Sequence, residues 1–251
     1  MESISQSVKR IKEMALKCKE RAPKANYSCP ICRDTGSIIT DQADGQPIIK
    51  ICKCQQKEIL RQQWIDAGFN IMSADRNFKT FKIDNKVSEK MKDMAMDYVE
   101  NFVAIQFNNN NSISFLGQPG SGKTHICMAI ALELIKKGFY PVYFPYREVI
   151  TELKQNVMNP IIYQEKMNKY KKSKILIIDD LFKGGATESD IRTTFDILNY
   201  RYLNRLPIVV SSEHLSQSLL NIDYALGGRI IEMCENRILD IFGEEFDKRL
   251  E

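Results

Sequence analysis

The octet Gly117-Gln118-Pro119-Gly120-Ser121-Gly122-Lys123-Thr124 fits the spacing G-x-x-x-x-G-K-[ST] at every position, and the apolar run Ile113-Ser114-Phe115-Leu116 stands directly before it. The chemistry of this octet needs a buried strand to deliver it and a helix to receive it. Its glycines let the backbone wrap an anion with several amide hydrogens pointing inward. The helix expected over 123–137 adds the positive end of its dipole. Lys123 is then expected to reach the β- and γ-phosphates of ATP, and Thr124 to hold Mg2+ through its hydroxyl. Gly117 through His125 form the expected nucleotide-binding stretch. The bland alternative is a Gly-rich turn without a ligand, against which the strand–loop–helix setting weighs.

The run Ile175-Leu176-Ile177-Ile178-Asp179-Asp180 supplies the expected partner. An all-apolar strand is buried on both faces. A carboxylate at its C-terminal end falls where ligands bind in open α/β sheets. Asp179 is expected in the Mg2+ shell, and Asp180 is expected to orient or deprotonate the attacking water. A paired Asp at a strand end can also simply cap a helix. Further apolar runs near 142–144, 207–211 and 238–242 alternate with helical spacing near 123–137, 146–157, 161–171, 188–203, 214–220 and 225–235. That alternation predicts an α/β domain with a mainly parallel sheet. Val87, Met91, Met94, Tyr98 and Phe102 predict a core-facing helix over 87–105.

The chain has seven cysteines, and four of them, Cys29, Cys32, Cys52 and Cys54, fall in one short window. An odd count clustered in this way points to metal in a reducing compartment instead of a disulfide framework. A C-x2-C pair and a C-x-C pair on either side of a hairpin-length insert suit structural Zn2+ held by four thiolates. Asp44-Gly45 offers the hairpin turn. Four thiolates leave no open position, so the module scaffolds or recognises. Redox chemistry and free buried thiols are the other readings.

At 251 residues the chain has room for one large domain or one plus an appendage. The expected division is 1–66, holding a helix over 4–18 (Ile4, Val8, Ile11, Ala15 and Cys18 on one stripe), the cysteine segment and a closing helix over 57–66. A linker over 67–85 and a nucleotide-binding domain over 86–251 follow. Net charge is +4, and residues 1–24 hold that entire surplus, so the rest is balanced. A global basic field is excluded, and any nucleic-acid contact must be local. The local candidate is Lys166, Lys169, Lys171, Lys172 and Lys174 with Tyr163 and Tyr170, since single strands are held by cations and aromatic stacking. A solvated helix end is the alternative. No apolar run approaches the roughly 18–20 residues of a membrane span. Lys9, Arg10 and Lys12 interrupt any leader-like stretch, so a cytoplasmic protein without a membrane partner is expected.

The stretches GQPGSGKTHI, ILIIDDLFKG, NYRYLNRLPIVVSSE and GGRIIEMC occur in this order behind Cys29-Pro30-Ile31-Cys32-Arg33-Asp34-Thr35-Gly36. Together they resemble the DnaC/DnaI-type helicase loaders within the AAA+ ATPases, and the cysteine front resembles the DnaI-like and phage loaders in particular. The resemblance covers most of residues 27–243. It implies an AAA+ P-loop core with a small N-terminal zinc-binding domain and an ATPase of weak turnover, stimulated by DNA or a partner. It also implies a hexameric DnaB-family replicative helicase and single-stranded DNA as partners, the cysteine module as the helicase contact, and self-association through the AAA+ domain. Ser212 or Glu213 is implied as the sensor of the γ-phosphate. Arg229 is implied as the arginine inserted into a neighbouring subunit's site, with Arg201 as a second candidate. With Glu251 soon after the fifth strand, no full helical lid is expected. An IstB-type transposition helper shares the ATPase core and stays open as an alternative. So does an ATP-binding adaptor or inhibitor of the helicase without significant turnover.

Overall fold

A computed structural model describes residues 27–41 and 47–243. The expected helix over 4–18 and the Asp44-Gly45 turn lie outside the described residues. The chain divides into two compact units, Met1–Ile59 and Leu60–Glu251.

In the first unit, β1 (Ser37–Asp41) and β2 (Pro47–Ile51) pair antiparallel in a register running from Ser37 opposite Ile51 to Asp41 opposite Pro47. Helix α1 (Lys53–Asp66) follows, with its residues from Leu60 onward in the second unit. Ahead of β1 the chain makes a tight knuckle. Arg33, Asp34 and Gly36 hold positive φ angles of 52°, 64° and 74°. The Asp34 carboxylate accepts the backbone N–H groups of Ser28 and Cys29 at 3.0 and 2.8 Å.

The second unit continues with α2 (Lys86–Ile105), β3 (Ile113–Gly117), α3 (Lys123–Lys136), β4 (Pro141–Pro145), α4 (Tyr146–Gln155), α5 (Pro160–Lys172) and β5 (Ile175–Leu181). It closes with α6 (Glu188–Leu203), β6 (Ile208–Ser212), α7 (Ser216–Ile222), α8 (Tyr224–Cys234) and β7 (Ile238–Ile241). Helix starts follow their capping chemistry. Asn85 and Ser88 form a reciprocal capping box on α2, and Thr187 with Asp190 forms another on α6.

Among the described residues the sheet of this unit has five strands in the order β4-β5-β6-β3-β7, and all neighbours run parallel. Strand period sorts its side chains between two cores. Phe115, Ile177 and Val209 enter the core beneath α2 and α3. Leu116, Ile178 and Val210 enter the core beneath α4, α5, α6 and α8. Each such side chain, fully buried, contributes about 1.5–3 kcal/mol.

Two expectations change here. Residues 67–85, expected as a linker, place Ala67, Phe69 and Phe81 in the first core. The segment docks along the sheet edge, where the Tyr143 N–H donates to the Ala67 carbonyl at 2.8 Å. Its far end reaches the phosphate loop, where the Phe81 ring is edge-on to His125. Tyr170, expected to stack on nucleic-acid bases, is buried in the second core and packs edge-on to Phe144. Among the described residues no helix is long and apolar enough to cross a membrane.

Candidate functional site

The phosphate loop leaves β3 at its C-terminal end, and its glycines are required there. Gly117, Gly120 and Gly122 have φ of 103°, 78° and 93°, which disfavours any side chain. A Cβ on Gly117 would stand 2.2 Å from the Ile241 carbonyl oxygen, and one on Gly122 would stand 2.9 Å from the Phe81 ring. The Lys123 ammonium is buried and folds back on the loop, donating to the Gly117 and Gln118 carbonyls at 2.7 and 2.6 Å. Burial pulls it down to about 8, while Glu213 and Asp180 oppose that fall. A phosphate in the loop would offer this lysine stronger acceptors than the two carbonyls.

Asp179 is buried and meets three hydroxyls. Its Oδ1 accepts from Thr124 Oγ1 at 2.9 Å and from Ser211 Oγ at 2.5 Å, and its Oδ2 accepts from the Tyr143 hydroxyl at 2.9 Å. Burial raises its pKa against the pull of these donors. Thr124 and Asp179 converge at the edge of the anion cradle as two hard oxygen donors, which fits Mg2+. When bound there, the ion would be held by these two residues and would neutralise phosphate charge.

Adjacent residues on a regular strand point to opposite faces, so Asp179 and Asp180 would be separated without a special device. The device is a bulge. The β5–β6 register steps from Ile178 opposite Val210 to Leu181 opposite Ser212, and Asp180 sits at φ 56°. Bulges of this kind re-aim side chains next to active sites. The Asp180 N–H is taken up by Ser211 Oγ at 2.8 Å. Its carboxylate turns into a cavity of about 260 Å3 lined by Arg76, Pro119, Gly120, Lys123, Thr124 and Glu213, among others. Lys183 bridges the two acids there, 2.7 Å from Asp180 and 3.2 Å from Glu213.

The structure therefore brings the phosphate loop, Asp179, Asp180 and Glu213 together. Ser212 lies elsewhere: its hydroxyl is buried and donates to the Leu181 carbonyl at 2.7 Å. The neighbouring Ser211 is the serine at the site. Strand period decides which of the two serines faces α3, but nothing in the sequence fixes that parity beforehand. Arg76 carries no sequence signal either, because its segment has no clean period. His125 also lines the cavity, with Nε2 3.1 Å from the Asn77 carbonyl oxygen and its ring edge-on to Phe81.

Arg229 does not line this cavity. Its guanidinium lies 4.6 Å from the Phe195 ring centre and 5.5 Å from that of Tyr202, and Nη1 donates to the Ala225 carbonyl at 2.9 Å. Arg201 is fully buried, and burial lowers it to about 9. It donates to the carbonyls of Tyr170, Ser173 and Pro207 at 2.9, 2.8 and 2.8 Å. It thus clamps the C-terminal end of α5 to the start of β6, a cation at a helix C-terminus, and has no free end to offer a neighbour. In the lysine run, Lys166 is paired with Glu152, while Lys169, Lys172 and Lys174 are exposed.

In the first unit the Sγ atoms of Cys29, Cys32, Cys52 and Cys54 all lie within 4.8 Å of one another. The Cys29–Cys52 and Cys32–Cys54 separations are 3.8 and 3.3 Å. Tetrahedral zinc with Zn–S bonds of about 2.3 Å needs sulfurs roughly 3.8 Å apart. The four thiols fit that ion, and zinc would staple the knuckle to the second pair.

A parallel sheet with this order, a phosphate loop after β3 and a paired Asp at the end of β5 define an AAA+ P-loop protein. A family model described as IstB-like ATP binding protein matches residues 72–243, and the chain belongs to that family. It is 35% identical over 238 residues to the phage-like element PBSX protein XkdC of Bacillus subtilis (strain 168), covering 90% of this chain and 88% of that protein. Among solved structures, it matches DnaI with a TM-score of 0.58 at 21% identity, covering 69% of this chain and 93% of that one. It matches the DnaC helicase loader with a TM-score of 0.53 at 23% identity, covering 68% and 99%.

Proposed function

We propose that this chain is an ATP-dependent loader that delivers a hexameric DnaB-family replicative helicase onto single-stranded DNA. The observation that carries this reading is the pairing of a complete phosphate loop and its Asp179–Asp180 bulge with a four-cysteine cluster in the same chain. The fold it shares with the DnaC helicase loader and its likeness to a phage-element protein support it. In this reading Lys123 and the loop amides hold the ATP phosphates, and Thr124 and Asp179 hold Mg2+. Asp180 activates water, and Glu213 senses the γ-phosphate from the cavity wall. Hydrolysis is weak until a partner or DNA assembles the site. Arg229 leaves its aromatic seat to complete a neighbouring subunit's pocket. Residues 1–66 hold Zn2+ through Cys29, Cys32, Cys52 and Cys54 and contact the helicase. Lys169, Lys171, Lys172 and Lys174 hold DNA phosphates, and the protein works in the cytoplasm.

The test is loading of a DnaB-family helicase onto closed circular single-stranded DNA. ATP-dependent transfer supports the proposal, and no transfer in any nucleotide state rejects it. A second reading, a transposition helper ATPase, is favoured by the family match over residues 72–243. The cysteine cluster weighs against it. Nucleotide-dependent binding to a transposase, without binding to the helicase, would establish that alternative.

A further inference from the structure

The Tyr143 hydroxyl is the donor on Asp179 Oδ2, at 2.9 Å. Its ring stacks on Phe69, with centres 4.5 Å apart and planes at 26°. Phe69 stacks in turn on Trp64, with centres 4.0 Å apart and planes at 18°. Trp64 is the single tryptophan of the chain, and its Nε1 donates to the Asn70 carbonyl at 2.9 Å. Trp64 and Phe69 are both buried, and all three rings belong to or pack against one core. The same segment is tied to β4 by the Tyr143 N–H on the Ala67 carbonyl. One end of this near-parallel stack therefore touches the carboxylate expected to hold Mg2+, and the other end is an indole.

We propose that Tyr143 is a positioning residue for Asp179, and that it transmits occupancy of the cation site through Phe69 to Trp64. The reasoning begins at the carboxylate. Thr124 and Ser211 share Oδ1, so the Tyr143 hydroxyl alone among the described hydrogen bonds orients Oδ2. Hydrogen-bond donors behind a metal-binding carboxylate set its direction and its affinity. Once a cation draws on this carboxylate, the hydrogen bond to Tyr143 must change in length or angle. The phenol ring cannot absorb that change alone, because Phe69 is packed against it and close-packed interiors transmit displacement. The displacement ends on an indole whose emission reports the rings stacked on it.

This inference rests on the nucleotide-binding reading of the phosphate loop. The experiment uses the full chain and compares wild type, Tyr143→Phe and Phe69→Leu. ADP binding is measured in EDTA and in Mg2+, and Trp64 emission is recorded in the same titrations. Wild type should change its emission on adding Mg2+ to the ADP complex. Tyr143→Phe keeps the stack but lacks the hydroxyl. It should bind ADP in EDTA like wild type, need about tenfold more Mg2+ or beyond, and lose the emission change. Phe69→Leu should keep the wild-type Mg2+ requirement and lose the emission change. Two results overturn the proposal: a wild type whose emission is blind to Mg2+, or a Tyr143→Phe protein with an unaltered Mg2+ requirement. Absence of ADP binding by wild type in EDTA and in Mg2+ would instead overturn the nucleotide-binding reading beneath it.

Discussion

Ser211→Ala tests how the two acids are held. Ser211 is fully buried, donates to Asp179 Oδ1 at 2.5 Å and accepts the Asp180 N–H at 2.8 Å. Alanine leaves that N–H buried without an acceptor and removes one donor from a buried carboxylate. An orphaned buried group costs about 1–3 kcal/mol, and a lost hydrogen bond to a charged group costs about 1.5–3. Partial relaxation of the bulge offsets some of this, so a net destabilisation of about 2–4 kcal/mol is expected. At roughly 2–4 °C per kcal/mol for a domain of this size, the melting temperature should fall by about 5–15 °C. Asp179 also loses orientation, which should reduce Mg2+-dependent turnover by about 10–100-fold. Thermal melting and ATPase assays at saturating Mg2+ read both effects. Ser212→Ala serves as the control. It loses a hydrogen bond to the Leu181 carbonyl, so it should lower the melting temperature without changing the Mg2+ requirement. A Ser211→Ala protein that melts within about 1 °C of wild type and turns over normally would refute the reasoning.

Purified protein should carry one zinc per chain, and Cys29→Ser/Cys32→Ser should lose it by metal analysis while still binding ADP. Lys123→Ala should abolish nucleotide binding, whereas Asp180→Asn should bind ATP and lose turnover, because charge neutralisation and water activation are separate tasks. Free Lys123 loses its proton at about 8, and bound phosphates would keep it charged, so nucleotide binding above pH 8 takes up a proton. ADP affinity measured in EDTA should be flat from about pH 7, where the terminal phosphate is ionised, to about pH 8, and fall by up to about tenfold per pH unit above it; a profile flat through pH 8 would contradict this. Arg229→Ala and Lys123→Ala, each inactive alone, should regain hydrolysis when mixed, if an arginine from one subunit completes the pocket of the next; an active Arg229→Ala protein would remove it from the site.

The phosphate loop is readable in the sequence because its chemistry is local: eight consecutive residues carry the anion cradle, the lysine and the hydroxyl. The positions of β3, β5 and β6 are readable for a related reason, since a buried parallel strand must be apolar on both faces. Ser211 is not readable. One residue of register separates it from Ser212, and register is set by tertiary pairing. The bulge that brings Asp180 round to Asp179 leaves no mark beyond the repeated Asp. Tyr170 reads as a surface aromatic among lysines, but α5 turns it inward onto Phe144. Residues 67–85 read as a linker because an irregular segment that buries single side chains such as Phe69 and Phe81 has neither helical nor strand period. Arg201 shows the converse: a lone Arg at a helix end is ambiguous in sequence, and only the converging carbonyls identify it as a clamp.

The most direct test of the central claim is gel filtration of the purified chain with a DnaB-family hexamer, run with ATP, with ADP and without nucleotide. The account predicts a complex whose stability depends on the nucleotide and which is lost in Cys29→Ser/Cys32→Ser. Wild-type protein that holds zinc and binds ATP, yet elutes apart from the helicase in every nucleotide state, would contradict it.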